Sequence, residues 1–168
     1  MYFNKNKLLS NYELIEMCAK SGINLIDILN KDLLIKETPQ EGCYIINLQD
    51  SGVGQGTHWV GLILNEEYVS YFDPFGLHHS EDVSRFISWF LHDVGYTDTR
   101  DVIYNTTQVQ NINSILCGYY VFAFLYHHTV INKHKTNNKD LMGDFVLRFK
   151  RNGSIYNDKT IERMIKHI

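Results

Sequence analysis

Four residues of this 168-residue chain, His58, Asp73, Gln110 and Cys117, have the types needed for thiol-based acyl chemistry. A thiol attacks a carbonyl well at neutral pH only beside a base, a group that orients the base, and donors for the developing oxyanion. Cys117 would be the nucleophile. His58 would take its proton and return it to the leaving amine, while Asp73 would fix the imidazole tautomer and stabilise its charged form. Gln110, seven residues before Cys117, would donate its side-chain N–H to the oxyanion beside the backbone N–H of Cys117.

Each of these residues has a blander role open to it. A cysteine alone is usually a small core hydrophobe, as Cys18 and Cys43 are expected to be. Asp73 opens Asp-Pro-Phe-Gly and could simply cap a turn. Gln108 competes with Gln110, and Asn111 and Asn113 can shape the loop backbone. His78-His79 and His127-His128 invite a metal reading, but neighbours on a helix do not face one site, so no metal is expected.

The elements that must position the four residues follow from periodicity. From 117 to 131 the chain is apolar on nearly every face and reads as a helix buried through the centre. At its head the Cys117 sulfur would lie beside unpaired N–H groups and the positive end of the dipole, which favours thiolate. Residues 58–64 and 68–72 are β-prone and read as a hairpin. With Ile63 opposite Tyr68 and 64–67 as the loop, His58 and Asp73 would be directly opposed on one face; a one-residue slip would separate them.

The remaining elements are scaffold. Ser10 and Glu13 form a capping box for a helix over 11–20, closed by Gly22. Leu25, Ile28, Leu29 and Leu33 predict a short helix or turn over 24–34. Residues 43–48 predict a buried strand and 50–57 a glycine-rich loop, without the Lys-Ser/Thr ending of a phosphate site. A packing helix is expected over 80–95 and a strand over 101–107, leading into the polar loop before Cys117. After a polar turn at 132–138 come a helix marked by Leu141, Met142, Phe145, Val146 and Phe149, an end at Asn152-Gly153, and a terminal helix over 160–168.

Length and composition fit one domain over residues 1–168. The start lacks a signal-peptide pattern, so an intracellular protein is expected. The apolar segments are too short to span a membrane. Three cysteines without paired spacing disfavour a disulfide framework and a zinc site. Residues 1–132 hold 7 Lys/Arg against 15 Asp/Glu, and residues 133–168 hold 9 against 4, so the C-terminal segment is basic in a chain of net charge -3. That segment, 133–168, is the candidate surface for nucleic acid.

His58-Trp59, then Phe72-Asp73-Pro74-Phe75-Gly76, then Gln110 before Cys117-Gly118, resembles the adenovirus-type cysteine endopeptidases (adenains). Relatives of these occur in Maverick/Polinton elements and virophages and, more distantly, among SUMO-deconjugating proteases. The resemblance covers about 43–128 and implies an α+β fold with a papain-like site in permuted order. In it, a mixed central sheet is packed by helices and the nucleophile heads a buried central helix. It implies cleavage after small, Gly-containing motifs in viral capsid precursors, with Trp59 and Gly118 at the substrate groove. It also implies a monomer located in the virion, a viral factory or the nucleus, needing no cofactor for the chemistry and open to activation by DNA or a peptide. The strand before the polar loop lacks the cysteine to which adenovirus enzymes join their peptide. Rival readings are a ubiquitin-like deconjugating protease, a thiol acetyltransferase, and an inactive peptide-binding module.

Overall fold

A computed structural model of the chain describes residues 1, 3–54, 58–95, 102–134 and 138–168. Residues 55–57 of the expected glycine loop, residue 101 of the expected strand and residues 135–137 of the expected polar turn lie outside the described residues.

Helix α1 spans Asn11–Ser21 and begins with the reciprocal cap: Glu13 N–H donates to Ser10 Oγ, and Ser10 N–H donates to Glu13 Oε2 at 3.1 Å. Caps of this kind are worth about 1 kcal/mol. The chain then forms β1 (Leu25–Asn30) and a 3-10 turn (Lys31–Lys36). The expected short helix or turn over 24–34 is corrected to a strand followed by that turn. The apparent helical spacing straddles two elements, and pairing of Leu25–Asn30 with the next strand overrides the local signal.

Strands β2 (Gly42–Asn47), β3 (Trp59–Asn65), β4 (Tyr68–Phe72) and β5 (Val102–Tyr104) complete a five-stranded sheet in the order β1-β2-β3-β4-β5. The outer pairs, β1 with β2 and β4 with β5, are parallel and the inner pairs antiparallel, so the sheet is mixed.

Alternation along the strands sorts the core into two layers. Cys43, Ile45, Trp59, Ile63 and Phe72 pack on one face with the helices α1, α3 (Cys117–Tyr126), α4 (Asn138–Val146) and α5 (Asn157–Lys166). Tyr44, Ile46, Val60, Leu62, Leu64, Val69 and Tyr71 pack on the other, against α2 (Glu81–Asp93) and Leu34. Helices thus cover both faces of a mixed sheet, an α+β arrangement with α3 running through its core.

Every residue of α3 from Cys117 to Leu125 is buried. The expected helix 117–131 continues past Tyr126, but its last turn, His127–Ile131, is a π-turn. Helix α4 stops at Val146, so Phe149 packs from the following turn, while α5 starts three residues earlier than expected, at Asn157. Among the described residues no helix is long and apolar enough to cross a membrane.

Candidate active site

The hairpin β3–β4 carries His58 and Asp73 at its open end. Asn65 pairs with Tyr68 and Gly61 with Phe72, a register two residues away from the expected one, because the hairpin closes on the two residues Glu66 and Glu67 rather than on four. A shift of two preserves the face of every side chain, so the pair stays together and meets diagonally instead of head-on. His58 Nε2 and Asp73 Oδ1 lie 2.7 Å apart, with the carboxylate fully buried. Phe75 stacks on the imidazole, ring centroids 4.5 Å apart and planes at 16°.

Asp73 is held from behind. Its Oδ1 also accepts from Phe75 N–H at 2.7 Å, and buried Asn105 grips its backbone, accepting from Asp73 N–H at 3.0 Å and donating to Asp73 O at 2.7 Å. No motif or periodicity singles out Asn105 in the sequence. Only its place directly after β5 hints at the role, since a lone Asn gives no periodic or motif signal.

Cys117 heads α3, and its sulfur lies near enough to the same imidazole to raise its pKa. With Nε2 committed to Asp73, Nδ1 is the nitrogen left for the sulfur. Burial by itself pulls the His58 pKa down; the bonded Asp73 carboxylate and the nearby Cys117 sulfur outweigh it and carry the value up to about 9. The ring therefore holds its proton at neutral pH, beside a sulfur at a helix head. The N-cap residue Leu116 offers no capping side chain, so it leaves the first N–H groups of α3 for other acceptors.

Gln110 sits in the loop before α3 and is buried, its Nε2 donating one hydrogen to Ser114 O at 2.7 Å and keeping a second. The loop is anchored to the histidine's half of the site: Val109 N–H and Gln110 N–H both donate to Pro74 O at 2.9 Å. Gly76 makes this docking possible. Its φ is +70°, and a Cβ there would fall 2.7 Å from the Thr107 carbonyl carbon and 2.8 Å from Gln108 N. The competitor Gln108 braces the loop, donating to Gln110 O at 2.9 Å, while Asn111 accepts from Asn113 N–H at 3.0 Å.

Trp59 is buried, with its Nε1–H donating to Leu9 O at 3.2 Å. Gly118 lies beneath Leu9 and Trp59, where a Cβ would be 3.2 Å and 3.4 Å from their side chains. The structure thus gathers His58, Asp73 and Cys117 around one ring, docks the Gln110 loop onto the Asp73 turn, and sets Trp59 against Gly118. His127 and His128 are buried at the opposite end of α3. Among the described residues, no three His, Cys, Asp or Glu side chains cluster as ligands for a metal ion.

Residues 44–164 match the family model described as the Ulp1 protease family, C-terminal catalytic domain. The chain belongs to the Ulp1 protease family. It is accordingly a cysteine peptidase acting on protein substrates. The motifs taken alone suggest adenovirus-type relatives first and SUMO-deconjugating ones more distantly, whereas the family model that matches is that of Ulp1.

Solved structures agree on the fold. An ASFV protease is 12% identical over 96% of this chain and 67% of its own, with a TM-score of 0.60, and its selenomethionine form is 14% identical over 96% and 68%, with a TM-score of 0.56. The central domain of a Legionella pneumophila protein is 12% identical over 96% and 95%, with a TM-score of 0.50. No curated protein matches the chain in sequence.

Proposed function

We propose that this Ulp1-family peptidase is an endopeptidase that cleaves after small, Gly-containing motifs, with Cys117 as nucleophile. The observation that carries the reading is the imidazole of His58, bonded to a buried carboxylate 2.7 Å away on one side and facing the thiol at the head of α3 on the other. Thiolate Cys117 attacks the scissile carbonyl carbon, and the oxygen takes the electron pair. The second Gln110 Nε2 hydrogen and the Cys117 backbone N–H stabilise that oxyanion. His58 gives its Nδ1 proton to the departing amine, leaving a thioester. A water molecule, deprotonated by the now neutral His58, attacks the thioester and releases the acid and Cys117. Asp73 holds Nε2–H throughout and balances the imidazolium charge.

The preference for glycine is supported by access. Cys117 is 2% exposed, and Gly118 beside it is roofed by Leu9 and Trp59, so a slender backbone reaches the sulfur more readily than one carrying side chains. The order of the His-Trp, Asp-Pro-Phe-Gly and Gln/Cys-Gly elements, together with a fold like that of a viral protease, favours viral capsid precursors as substrates. The deciding experiment is mass spectrometry of the products when wild-type and Cys117→Ala protein meet candidate precursors. Cleavage next to glycine by wild type alone is expected, and cleavage retained by Cys117→Ala would falsify the nucleophile assignment.

The Ulp1 family match favours a second reading, removal of a ubiquitin-like protein with a Gly-Gly tail. Aminomethylcoumarin conjugates of ubiquitin-like proteins, run beside free Gly-Gly peptides, separate the two. DNA is proposed as an activator on the basic C-terminal segment, where Lys150 and Lys159 lie 4.6 Å and 5.7 Å from the ring centroid of exposed Tyr156. Cleavage rates with and without DNA, at low and high salt, test this.

A further inference from the structure

The loop that carries Gln110 is held by a part of the chain outside the catalytic group, the segment 150–158. Asn157 is buried, its Nδ2 donating to Val109 O and Lys150 O, both at 2.7 Å, while its Oδ1 accepts from Lys150 N–H at 2.8 Å. Gly153 N–H donates to Gln108 O at 3.1 Å, and Asn111 Nδ2 donates to Gly153 O at 2.7 Å. The fit is tight: Gly153 has φ +57°, and a Cβ there would fall 2.4 Å from Gln110 O.

One residue of this segment reaches both halves of the proposed oxyanion site. Asp158 Oδ1 accepts from Ser114 Oγ at 3.1 Å and from Tyr120 OH at 2.9 Å. Ser114 O is the acceptor that holds Gln110 Nε2, and Tyr120 lies one turn along α3 from Cys117. Burial foremost, then the Asp158 carboxylate, pushes the Tyr120 phenol pKa up, so it stays a donor. One carboxylate oxygen therefore ties the loop bearing the side-chain oxyanion donor to the helix bearing the backbone one.

We infer that Asp158 is a positioning residue that sets the Gln110 amide relative to the head of α3. The inference rests on the proposed oxyanion role of Gln110. Its specific signature is a loss confined to acyl transfer: attack on iodoacetamide needs the thiolate but creates no oxyanion. A purely structural role at the start of α5 would alter both reactions or neither.

The test compares wild type, Gln110→Ala, Asp158→Ala, Asp158→Asn and Gln110→Ala/Asp158→Ala, using hydrolysis of a Gly-Gly-aminomethylcoumarin peptide, iodoacetamide alkylation of Cys117 and thermal unfolding. Asp158→Ala should lower kcat roughly 10- to 100-fold, somewhat less than outright removal of an oxyanion donor. KM and the alkylation rate should stay within about twofold, since neither step stabilises an oxyanion. Asp158→Asn, which keeps an accepting oxygen, should recover most of the rate, and the double variant should be no slower than Gln110→Ala. An unchanged kcat in Asp158→Ala, an equal loss in alkylation, or multiplicative losses in the double variant would overturn the inference. An unchanged kcat in Gln110→Ala would instead overturn the oxyanion assignment, and the positioning role with it.

Discussion

Two histidines, half-buried His58 and buried His128, stand at opposite ends of α3 and end up on opposite sides of neutrality. His58, near the helix head, meets Asp73 and Cys117, and its pKa rises to about 9. His128, in the π-turn at the other end, donates Nδ1–H to Phe124 O at 2.9 Å and packs on the Phe124 ring, 4.3 Å between centroids. Burial foremost, with His127 adding to it and the Phe124 carbonyl only partly opposing, pulls its pKa down to about 3. Desolvation acts downward on both rings. A carboxylate and a thiol reverse it at one end, and a neutral carbonyl cannot at the other.

The strongest way to break that contrast is to remove the carboxylate. Asp73→Asn makes the surroundings of His58 more like those of His128, and kcat/KM should fall about 1,000-fold or more. In wild type, activity should decline as pH rises through about 9, where His58 loses its proton. In Asp73→Asn that alkaline limb should move to lower pH, and a pH–rate profile whose limb stays in place would contradict the assignment of Asp73.

The cysteines sharpen the same contrast. Burial pushes the Cys18 and Cys43 thiols up to about 12, with the Cys43 charge adding to the effect on Cys18. Iodoacetamide at neutral pH should therefore label Cys117 at least about 100-fold faster than either, as read by peptide mapping of the native protein. Labelling spread evenly over the three would remove the idea of an activated thiol.

Smaller effects follow from packing and linkage. Gly76→Ala sets a Cβ against backbone that cannot step aside, at a left-handed φ, and should cost roughly 2 kcal/mol in urea unfolding as well as part of the activity. The two histidines should tilt stability in opposite directions. His58, raised on folding, contributes stability that is full below pH 6.5 and lost as pH climbs through about 9. His128, lowered on folding, contributes stability that is present above 6.5 and lost as pH falls toward about 3. His128→Phe should flatten only the acid side of a stability–pH curve and change kcat/KM less than about twofold, because the residue lies far along α3 from the thiol.

The parts legible in the sequence are those with local causes. The Ser10/Glu13 cap, the apolar stripe of α2 and the all-round apolar run of α3 each declare themselves within one element. His58, Asp73, Gln110 and Cys117 are marked as candidates by the resemblance of the His-Trp, Asp-Pro-Phe-Gly and Gln/Cys-Gly elements to adenovirus-type endopeptidases. What could not be read there depends on pairing between distant segments. Strand β1 looks helical until β2 lies beside it, and the hairpin register hangs on whether two or four residues turn. Asn105, Asn157 and Asp158 carry no pattern, because each makes hydrogen bonds to a segment far away in the chain.

The two-residue turn of the hairpin has a practical side. Glu66 and Glu67 are exposed, and a break between them would leave His58 on a fragment with β1, β2 and β3. Asp73, Gln110 and Cys117 would stay on the other fragment with β4, β5 and α3. Neither piece would hold both the Cys117 thiol and the His58 imidazole, and the β3–β4 edge would be the seam where they rejoin. Proteolytic signal from the mixed halves would then measure how strongly two tethered proteins bring that seam together.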